Sequence, residues 1–193
     1  IVLEGMKDAC DVSMINASDL PKKLDWRGHK VVGPIKYQNI CGSCYIFSAV
    51  AAMESAYVVA NRDANVKQAP KFNEQALLNC NEKGCGGGFW AHVWDQAMKE
   101  GVTEFGKPPY QGYVSVKCVF SEYILLRIIS ILCTQQKKCK SYPELSKPTG
   151  YCVTMNTDDE TIMKIIFQYG PTSICIYSED RDFMFLKGDG EWN

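Results

Sequence analysis

The sequence contains one long apolar stretch that has to be buried, and this stretch begins at a cysteine. From Tyr45 to Ala60 only three residues are clearly polar, and neither glycine nor proline occurs until Pro70. Alanine, methionine and glutamate favour helices, so the stretch predicts a helix from Cys44 to about Arg62. Because this helix is apolar on nearly every face, we expect it to be a buried central helix.

The residue that begins this helix has surroundings that favour a reactive thiol. A cysteine at a helix N-terminus lies near exposed N–H groups and the positive end of the helix dipole, and both favour the nucleophilic thiolate. Acyl transfer through a thiol also needs hydrogen-bond donors for the oxyanion. The amide of Gln38, six residues upstream of Cys44, can supply one donor. The backbone N–H of Cys44 can supply the other.

Two other roles fit the spacing of these cysteines. Cys41 and Cys44 form a C-x-x-C motif at a helix start, which is the layout of a thiol–disulfide redox protein. Such motifs usually follow an apolar strand in a βαβ unit, and none is predicted here. Together with Cys80 and Cys85, the same two cysteines also have spacings that a zinc site tolerates. The buried helix and the three glycines at 86–88 argue against zinc, so we expect no metal and no cofactor.

Composition limits the compartment and the partners of the protein. Ten cysteines among 193 residues is a high number for a cytosolic protein and favours an oxidising compartment. The formal net charge of −1 gives no reason to expect a nucleic acid or an anionic membrane as partner. The apolar residues 119–132 are too few to span a bilayer, which takes roughly 20 residues. The chain begins at Ile1 without a signal peptide, so we expect this start to be internal to a longer protein.

Capping residues and apolar spacing predict three further helices. They are expected over residues 74–80, over residues 89–99, and from a cap and first turn at 157–160 to residue 169. Asn73 can cap the first of them, and Gly101 ends the second. Gly170 and Pro171 end the third, and beyond them we expect residues 172–177 to form a buried strand.

Together, these motifs resemble the papain family of cysteine proteases. The resemblance rests on residues 24–27, 38–48, 72–80, 84–88, 150–151 and 170–174. It covers residue 21 to the end of the chain, apart from 119–140. It implies an α+β fold of two lobes, in which a helical left lobe surrounds the buried central helix and the right β-lobe is incomplete.

The resemblance divides the chain into four parts. Residues 1–20 are expected to be the remnant of an inhibitory propeptide, and 21–118 the mature N-terminal segment with the helical left lobe. Residues 119–140 have no counterpart in the family, so they are either an insertion or an artefact of the gene model. Residues 141–193 are expected to be a partial right β-lobe.

The resemblance also assigns catalytic roles. Cys44 corresponds to the nucleophile and Gln38 to the glutamine of the oxyanion hole. The family further needs a histidine as base and an asparagine that orients it. The two histidines of this chain, His29 and His92, do not fall at that position, so we expect them to be surface or packing residues. We therefore interpret the chain as C-terminally truncated and expect it to hydrolyse peptides negligibly.

Other residues correspond to the substrate site of the family. Gly87 and Gly88 match a backbone ledge along which an extended peptide pairs like a strand. A side chain at this ledge is expected to block the peptide. Trp90 and Cys175 fall at or near positions that line the pocket for the second residue before the scissile bond. Plain core packing explains Trp90 equally well.

The resemblance implies two disulfides in the left lobe. These are Cys41–Cys85 and Cys80–Cys118. The remaining cysteines have no assigned partners, and Cys152 and Cys175 fit buried thiols in apolar segments.

The expected function is that of a papain-like cysteine peptidase acting on extended peptide or protein substrates. We expect a monomer that is lysosomal or secreted and that has its own propeptide in a longer precursor. One alternative is a catalytically inactive homologue that binds extended peptides on the Gly87–Gly88 ledge. A remote alternative is a redox protein acting through Cys41 and Cys44.

Overall fold

The structure is a computed structural model that describes most of the chain. The described residues are 6–7, 10–61, 66, 68–106, 108–114, 116–123, 128–135, 143–155 and 157–176. For 6–7, 116–123 and 128–135 the description covers the backbone. None of the helices found among these residues is both long enough and apolar enough to cross a membrane.

The described part of the chain contains four α-helices and six short strands. In chain order they are β1 (Met6–Lys7), α1 (Cys44–Ala60), α2 (Glu74–Cys80), α3 (Trp90–Glu100), β2 (Val102–Thr103), β3 (Val116–Tyr123), β4 (Ile128–Gln135), β5 (Glu144–Ser146), β6 (Tyr151–Cys152) and α4 (Asp159–Tyr169). A single 3-10 turn at Ala17–Asp19 precedes α1.

Helix α1 is the buried centre of the fold, as its apolar sequence predicts. Ile46, Ala49 and Val50 have no exposed surface, and buried residues occur on every turn of the helix as far as Val58. Helices α2 and α3 both pack against α1 and contribute to the same apolar core. This packing fixes the start of α1, where Cys44 lies.

The other three helices form where their sequence signals predict them. The side chain of Asn73 accepts a hydrogen bond of 3.0 Å from the backbone N–H of Ala76, which caps α2. The side chain of Asp158 caps α4 in the same way through Thr161, at 2.8 Å. Helix α3 stops at Gly101, whose φ of 74° favours glycine.

Three pairs of strands complete the described fold. Strand β1 is parallel to β6, whereas β2 pairs antiparallel with β5. Strands β3 and β4 form an antiparallel hairpin over much of the stretch 119–140, for which the sequence indicated no regular pattern. In the register of this hairpin, the backbone of Cys118 lies opposite that of Cys133. The hairpin leaves open whether this stretch is an insertion.

The prediction of a buried strand after α4 is wrong for the residues that the structure describes, 172–176. Ile174 is 71% exposed and Cys175 is also exposed, so neither is a core residue. A strand is stabilised by pairing, and no strand in the described ranges pairs with this segment. Tyr177, the last residue of the predicted strand, lies outside the described residues.

The interpretation of Cys152 as a buried thiol is also wrong. Cys152 forms a disulfide with Cys10, which lies 142 residues earlier in the chain. The parallel pairing of β1 with β6 places the two segments side by side. Local apolar spacing cannot reveal a pairing over such a distance.

Candidate active site

Cys44 is the first residue of α1, and its thiol is free and exposed. The residues on either side of it are held in the interior, because Ser43 is fully buried and Tyr45 is 4% exposed. The helix therefore presents a single thiol to solvent from a backbone that is fixed on both sides. This is the geometry that an attacking thiolate needs.

Gln38 begins the loop that leads into α1. Its side-chain Nε2 donates a hydrogen bond of 3.0 Å to the carbonyl oxygen of Cys41. Asn39, the next residue, has a φ of 58°, a left-handed conformation that asparagine tolerates better than most residues. The loop is thus folded back on itself, and the amide of Gln38 is oriented by it.

Tyr110 holds this loop from the opposite side, a role that the sequence did not suggest. Its hydroxyl donates to the carbonyl oxygen of Gln38 at 2.7 Å and lies 2.8 Å from Ser43 Oγ, which donates to it in turn. The ring of Phe47 packs edge-on against the ring of Tyr110, with centroids 5.0 Å apart. Burial raises the pKa of Tyr110, which keeps its hydroxyl protonated as a donor.

The loop before Cys44 is also joined to the glycine-rich segment 84–88. Cys41 forms a disulfide with Cys85, and the backbone N–H of Gly42 donates to the carbonyl oxygen of Cys85 at 3.1 Å. A Cβ on Gly42 would lie 2.6 Å from that oxygen, so the approach is possible only for glycine. The proposed nucleophile and the proposed ledge are therefore connected covalently and through the backbone.

The two glycines of the ledge differ in what surrounds them. Gly87 has a φ of 81°, and no atom lies within 4 Å of the place where a Cβ would be. At Gly88, in contrast, a Cβ would lie 2.8 Å from Cε2 of Tyr45. The space above Gly87 is therefore open, whereas Gly88 is glycine because the ring of Tyr45 packs against it.

Tyr45 anchors the glycine-rich segment through its hydroxyl as well as its ring. The hydroxyl is 2.8 Å from the carbonyl oxygen of Gly84 and 3.1 Å from Oδ1 of Asn81, and both are acceptors. Burial raises the pKa of Tyr45 to about 12. The sequence did not reveal these hydrogen bonds, because they depend on a turn that is distant in the chain.

Trp90, the first residue of α3, is half-buried and lines a cavity of about 640 Å³. Trp94 and Tyr151 line the same cavity, and the ring of Trp90 packs edge-on against that of Tyr151. Thr172 also lines this cavity, but Cys175 does not and is exposed instead. The structure thus does not bring Trp90 and Cys175 to one cavity.

The disulfides remove the two alternative roles of the cysteines. Cys41 is bonded to Cys85, so Cys41 and Cys44 do not form a redox pair. Cys80 is also disulfide-bonded, which leaves Cys44 as the one free thiol of the four residues considered for zinc. The side chain of Cys118 lies outside the described residues, so the pairing of Cys80 with Cys118 stays a prediction.

Both histidines are exposed and pack against aromatic rings. The ring of His29 contacts that of Trp26, with centroids 5.5 Å apart. The ring of His92 contacts Phe89, with centroids 6.2 Å apart. This arrangement agrees with the expectation that both are surface or packing residues.

A buried ionic cluster links α1 to α2. Lys36 Nζ contacts Glu54 Oε1 at 2.7 Å and also contacts Glu74, and both carboxylates are about 98% buried or more. The backbone N–H of Phe72 donates a further hydrogen bond of 2.7 Å to Glu54. Burial raises the pKa of Glu54, and the ammonium group of Lys36 opposes this effect. The sequence showed Glu54 only as an interruption of the apolar stretch.

Comparison with known sequences identifies relatives of this arrangement. The family described as papain family cysteine protease matches residues 20–189. Human cathepsin L2 is 29% identical over 175 residues, which cover 88% of this chain and 45% of that protein. Falcipain-3 from Plasmodium falciparum is 30% identical over 173 residues, covering 86% of this chain and 30% of that protein. The chain thus spans less than half the length of these curated relatives.

Solved structures show the same fold. The stem bromelain precursor matches with a TM-score of 0.61 at 24% identity, over 86% of this chain and 46% of that chain. Digestive procathepsin L 3 from the larval midgut of Tenebrio molitor matches with a TM-score of 0.59 at 19% identity, over the same shares of the two chains.

Proposed function

The chain belongs to the papain family of cysteine proteases, and we propose that Cys44 is the nucleophile of a cysteine-peptidase site. The observation that carries this proposal is a free, exposed thiol on the first residue of the buried helix α1. The thiolate of Cys44 would attack the carbonyl carbon of a peptide bond, and the carbonyl oxygen would take up the negative charge.

Gln38 and the start of α1 are proposed to stabilise this oxyanion. A primary amide has two N–H donors, and in Gln38 one of them is used by the carbonyl oxygen of Cys41. The second N–H of Gln38 is available for the substrate, together with the backbone N–H of Cys44. Donors that are already oriented lose little in reorganisation when charge develops on the oxygen.

The substrate is proposed to be an extended peptide that lies along Gly87 and Gly88. The open space at Gly87 supports this, because a second backbone can approach there without meeting a side chain. Trp90 is proposed to contact the second residue before the scissile bond. Cys175 is exposed and does not line the cavity of Trp90, so it is not part of this proposed contact.

We further propose that the 193-residue chain by itself does not hydrolyse peptides. Its two histidines pack against Trp26 and Phe89, so neither is assigned as the base that pairs with Cys44. Without such a base nothing protonates the leaving amine. A peptide-binding homologue without catalytic activity is therefore the second candidate function, and the fixed ledge at Gly87 favours it.

The proposed compartment is lysosomal or extracellular. Two disulfides, Cys10–Cys152 and Cys41–Cys85, support an oxidising environment during folding. Residues 1–20 are proposed to be the end of a pro-segment, and residues 119–140 to be an addition to the family pattern.

An affinity label tests the assignment of the nucleophile. We expect a dipeptidyl epoxide to alkylate Cys44 in the 193-residue chain much faster than it alkylates Cys175, as measured by peptide mapping with mass spectrometry. The variant Cys175→Ser should label like the unaltered chain, and Cys44→Ser should label only at the slow rate of Cys175. Equal rates at the two thiols would reject Cys44 as the nucleophile.

Turnover of a fluorogenic peptide tests the proposed lack of catalysis separately. We expect no turnover by the unaltered chain, and binding of the same peptide by both the unaltered chain and Cys44→Ser. Turnover that disappears in Cys44→Ser would show that the chain is an active enzyme.

A further inference from the structure

The segment before residue 20 is attached to the rest of the protein at three places. Strand β1 pairs with β6, so that Met6 is opposite Tyr151. Cys10 forms the disulfide with Cys152. The hydroxyl of Tyr169, the last residue of α4, donates a hydrogen bond of 2.8 Å to the carbonyl oxygen of Asp11.

The residues that follow this attachment are exposed. The 3-10 turn at Ala17–Asp19 contains no buried residue, and Lys22 and Lys23 are exposed as well. Exposed turns with small and polar side chains are preferred sites of proteolytic cleavage. The accessible backbone therefore lies between the attached segment and Trp26, whose indole N–H donates to the carbonyl oxygen of Ile166 at 3.0 Å.

We propose that residues 6–15, here called the tethered segment, stay covalently bound to the protein after cleavage between residues 16 and 23, and leave only after reduction of Cys10–Cys152. The proposal rests on the proposed function only in treating this region as part of a pro-segment. The tethered segment occupies a surface of the protein that is formed by Tyr151, Cys152 and Tyr169.

Release requires two different reactions. Hydrolysis breaks one peptide bond and consumes one water molecule, which leaves a new carboxylate and a new amine. A thiol reductant then attacks one sulfur of the disulfide, and the other sulfur leaves as a thiolate. Attack by a second thiol on the mixed disulfide completes the reduction. Cys10 and Cys152 become thiols, and the reductant becomes a disulfide.

The position of the disulfide allows its reduction to control release of the tethered segment. Cys10 and Cys152 are both half-buried, so that a small thiol can reach them. Both also line the cavity that contains Trp90 and Tyr151. Departure of the tethered segment would therefore remove one wall of this cavity and expose the edge of β6, whereas cleavage alone would leave both covered.

The test uses the 193-residue chain with the recognition sequence of a site-specific protease inserted between Lys22 and Lys23. After cleavage we expect the denatured, unreduced protein to be one water heavier and still a single species by mass spectrometry. Dithiothreitol should separate it into two species. The matched variant Cys10→Ser, with the same insertion, should separate on cleavage without reductant.

Native size-exclusion chromatography of the cleaved protein tests whether the Cys10–Cys152 disulfide controls release of the fragment. We expect the fragment to coelute with the protein until thiol is added, and the cleaved Cys10→Ser variant to lose it at least ten times faster under non-reducing conditions. Separation of the unreduced protein into two species would overturn the proposal. Equal rates of fragment loss from the cleaved protein and from the cleaved Cys10→Ser variant would overturn it as well. The masses of the cleaved species do not depend on Cys44. Labelling of Cys44 can therefore fail while the disulfide still holds the fragment, and labelling can succeed when the disulfide does not hold it.

Discussion

The ring of Tyr45 lies against Gly88, so close that a Cβ at Gly88 would be 2.8 Å from Cε2 of the ring. Gly88→Ala should therefore force the ring or the backbone to move and lower the free energy of unfolding by about 1–3 kcal/mol. Urea denaturation measures this change. In the background Tyr45→Leu, which has no ring, the effect of Gly88→Ala should be clearly smaller.

Gly28→Ala is the control for this substitution. The nearest atom to a Cβ at Gly28 is the carbonyl oxygen of Asp25, at an ordinary contact distance of 3.5 Å. We expect a change within about 0.5 kcal/mol. Equal effects of the alanine at the two glycines would contradict the role of the Tyr45 ring.

The hydroxyl of Tyr45 should contribute separately from its ring. Tyr45→Phe leaves the buried carbonyl oxygen of Gly84 without its 2.8 Å hydrogen bond, so we expect a loss of about 1–3 kcal/mol in the free energy of unfolding. Tyr37→Phe is the control, because Tyr37 is 79% exposed and should be nearly neutral. Equal stability of the two variants would contradict this assignment.

The raised pKa of Tyr45 gives this group a predictable effect at high pH. The folded-state pKa is about 12 and the ordinary value is 10.0, so the folded protein holds the phenolic proton more tightly than the unfolded chain does. The stabilisation is complete below pH 10.0 and is lost as the pH rises towards 12. Denaturation of Tyr45→Phe should therefore show a weaker decrease over this range than the unaltered protein.

The ammonium group of Lys36 should be essential for the buried cluster. Lys36→Met leaves the carboxylates of Glu54 and Glu74 without their cation, and we expect a loss of about 3–5 kcal/mol at neutral pH. Burial raises the pKa of Glu54 above 4.5, so the folded state binds this proton more tightly than the unfolded chain. The deficit of the variant should therefore shrink as the pH is lowered towards 4.5.

Arg27→Met serves as the comparison for Lys36→Met. Arg27 forms a 2.7 Å ion pair with Asp25, but its side chain is 77% exposed. Exposed ion pairs contribute up to about 1 kcal/mol, so this variant should lose far less stability. If Lys36→Met lost as little free energy of unfolding as Arg27→Met, the buried cluster would not be essential for stability.

Tyr110 should control the motion of the loop before Cys44. Tyr110→Phe removes the bonds to the Gln38 carbonyl oxygen and to Ser43, so amide hydrogens of residues 38–43 should exchange at least several times faster. Hydrogen exchange followed by mass spectrometry measures the rates. Tyr37→Phe should leave them unchanged, and protection that is equal in the two variants would reject this role for Tyr110.

Local sequence signals predicted the helices because each signal acts over a few residues. The apolar stretch predicted α1, and the Asn73 cap predicted the start of α2. The free thiol of Cys44 at the start of α1 follows from the same local reasoning. The position of Gln38 six residues upstream of Cys44 suggested its role as a donor, whereas the family resemblance suggested the glycine ledge.

The features that the sequence did not reveal all join residues far apart in the chain. Tyr110 reaches Gln38 over 72 residues, Lys36 reaches Glu74 over 38, and Cys10 reaches Cys152 over 142. No periodicity connects such residues, so only the folded chain shows which of them meet. The prediction of a strand at residues 172–176 was wrong for a related reason. An apolar composition predicts a strand, but it cannot supply the neighbouring strand that pairs with it.

The joint between Gly42 and the glycine-rich segment has a consequence for the entropy of binding. With Cys41–Cys85 closed and the backbone of Gly42 bonded to Cys85, the ledge and the start of α1 have little relative freedom to lose. A peptide that binds along Gly87 would have to order its own backbone, but it would not have to order the protein. Affinity at this ledge should therefore depend mainly on how stiff the peptide is before it binds.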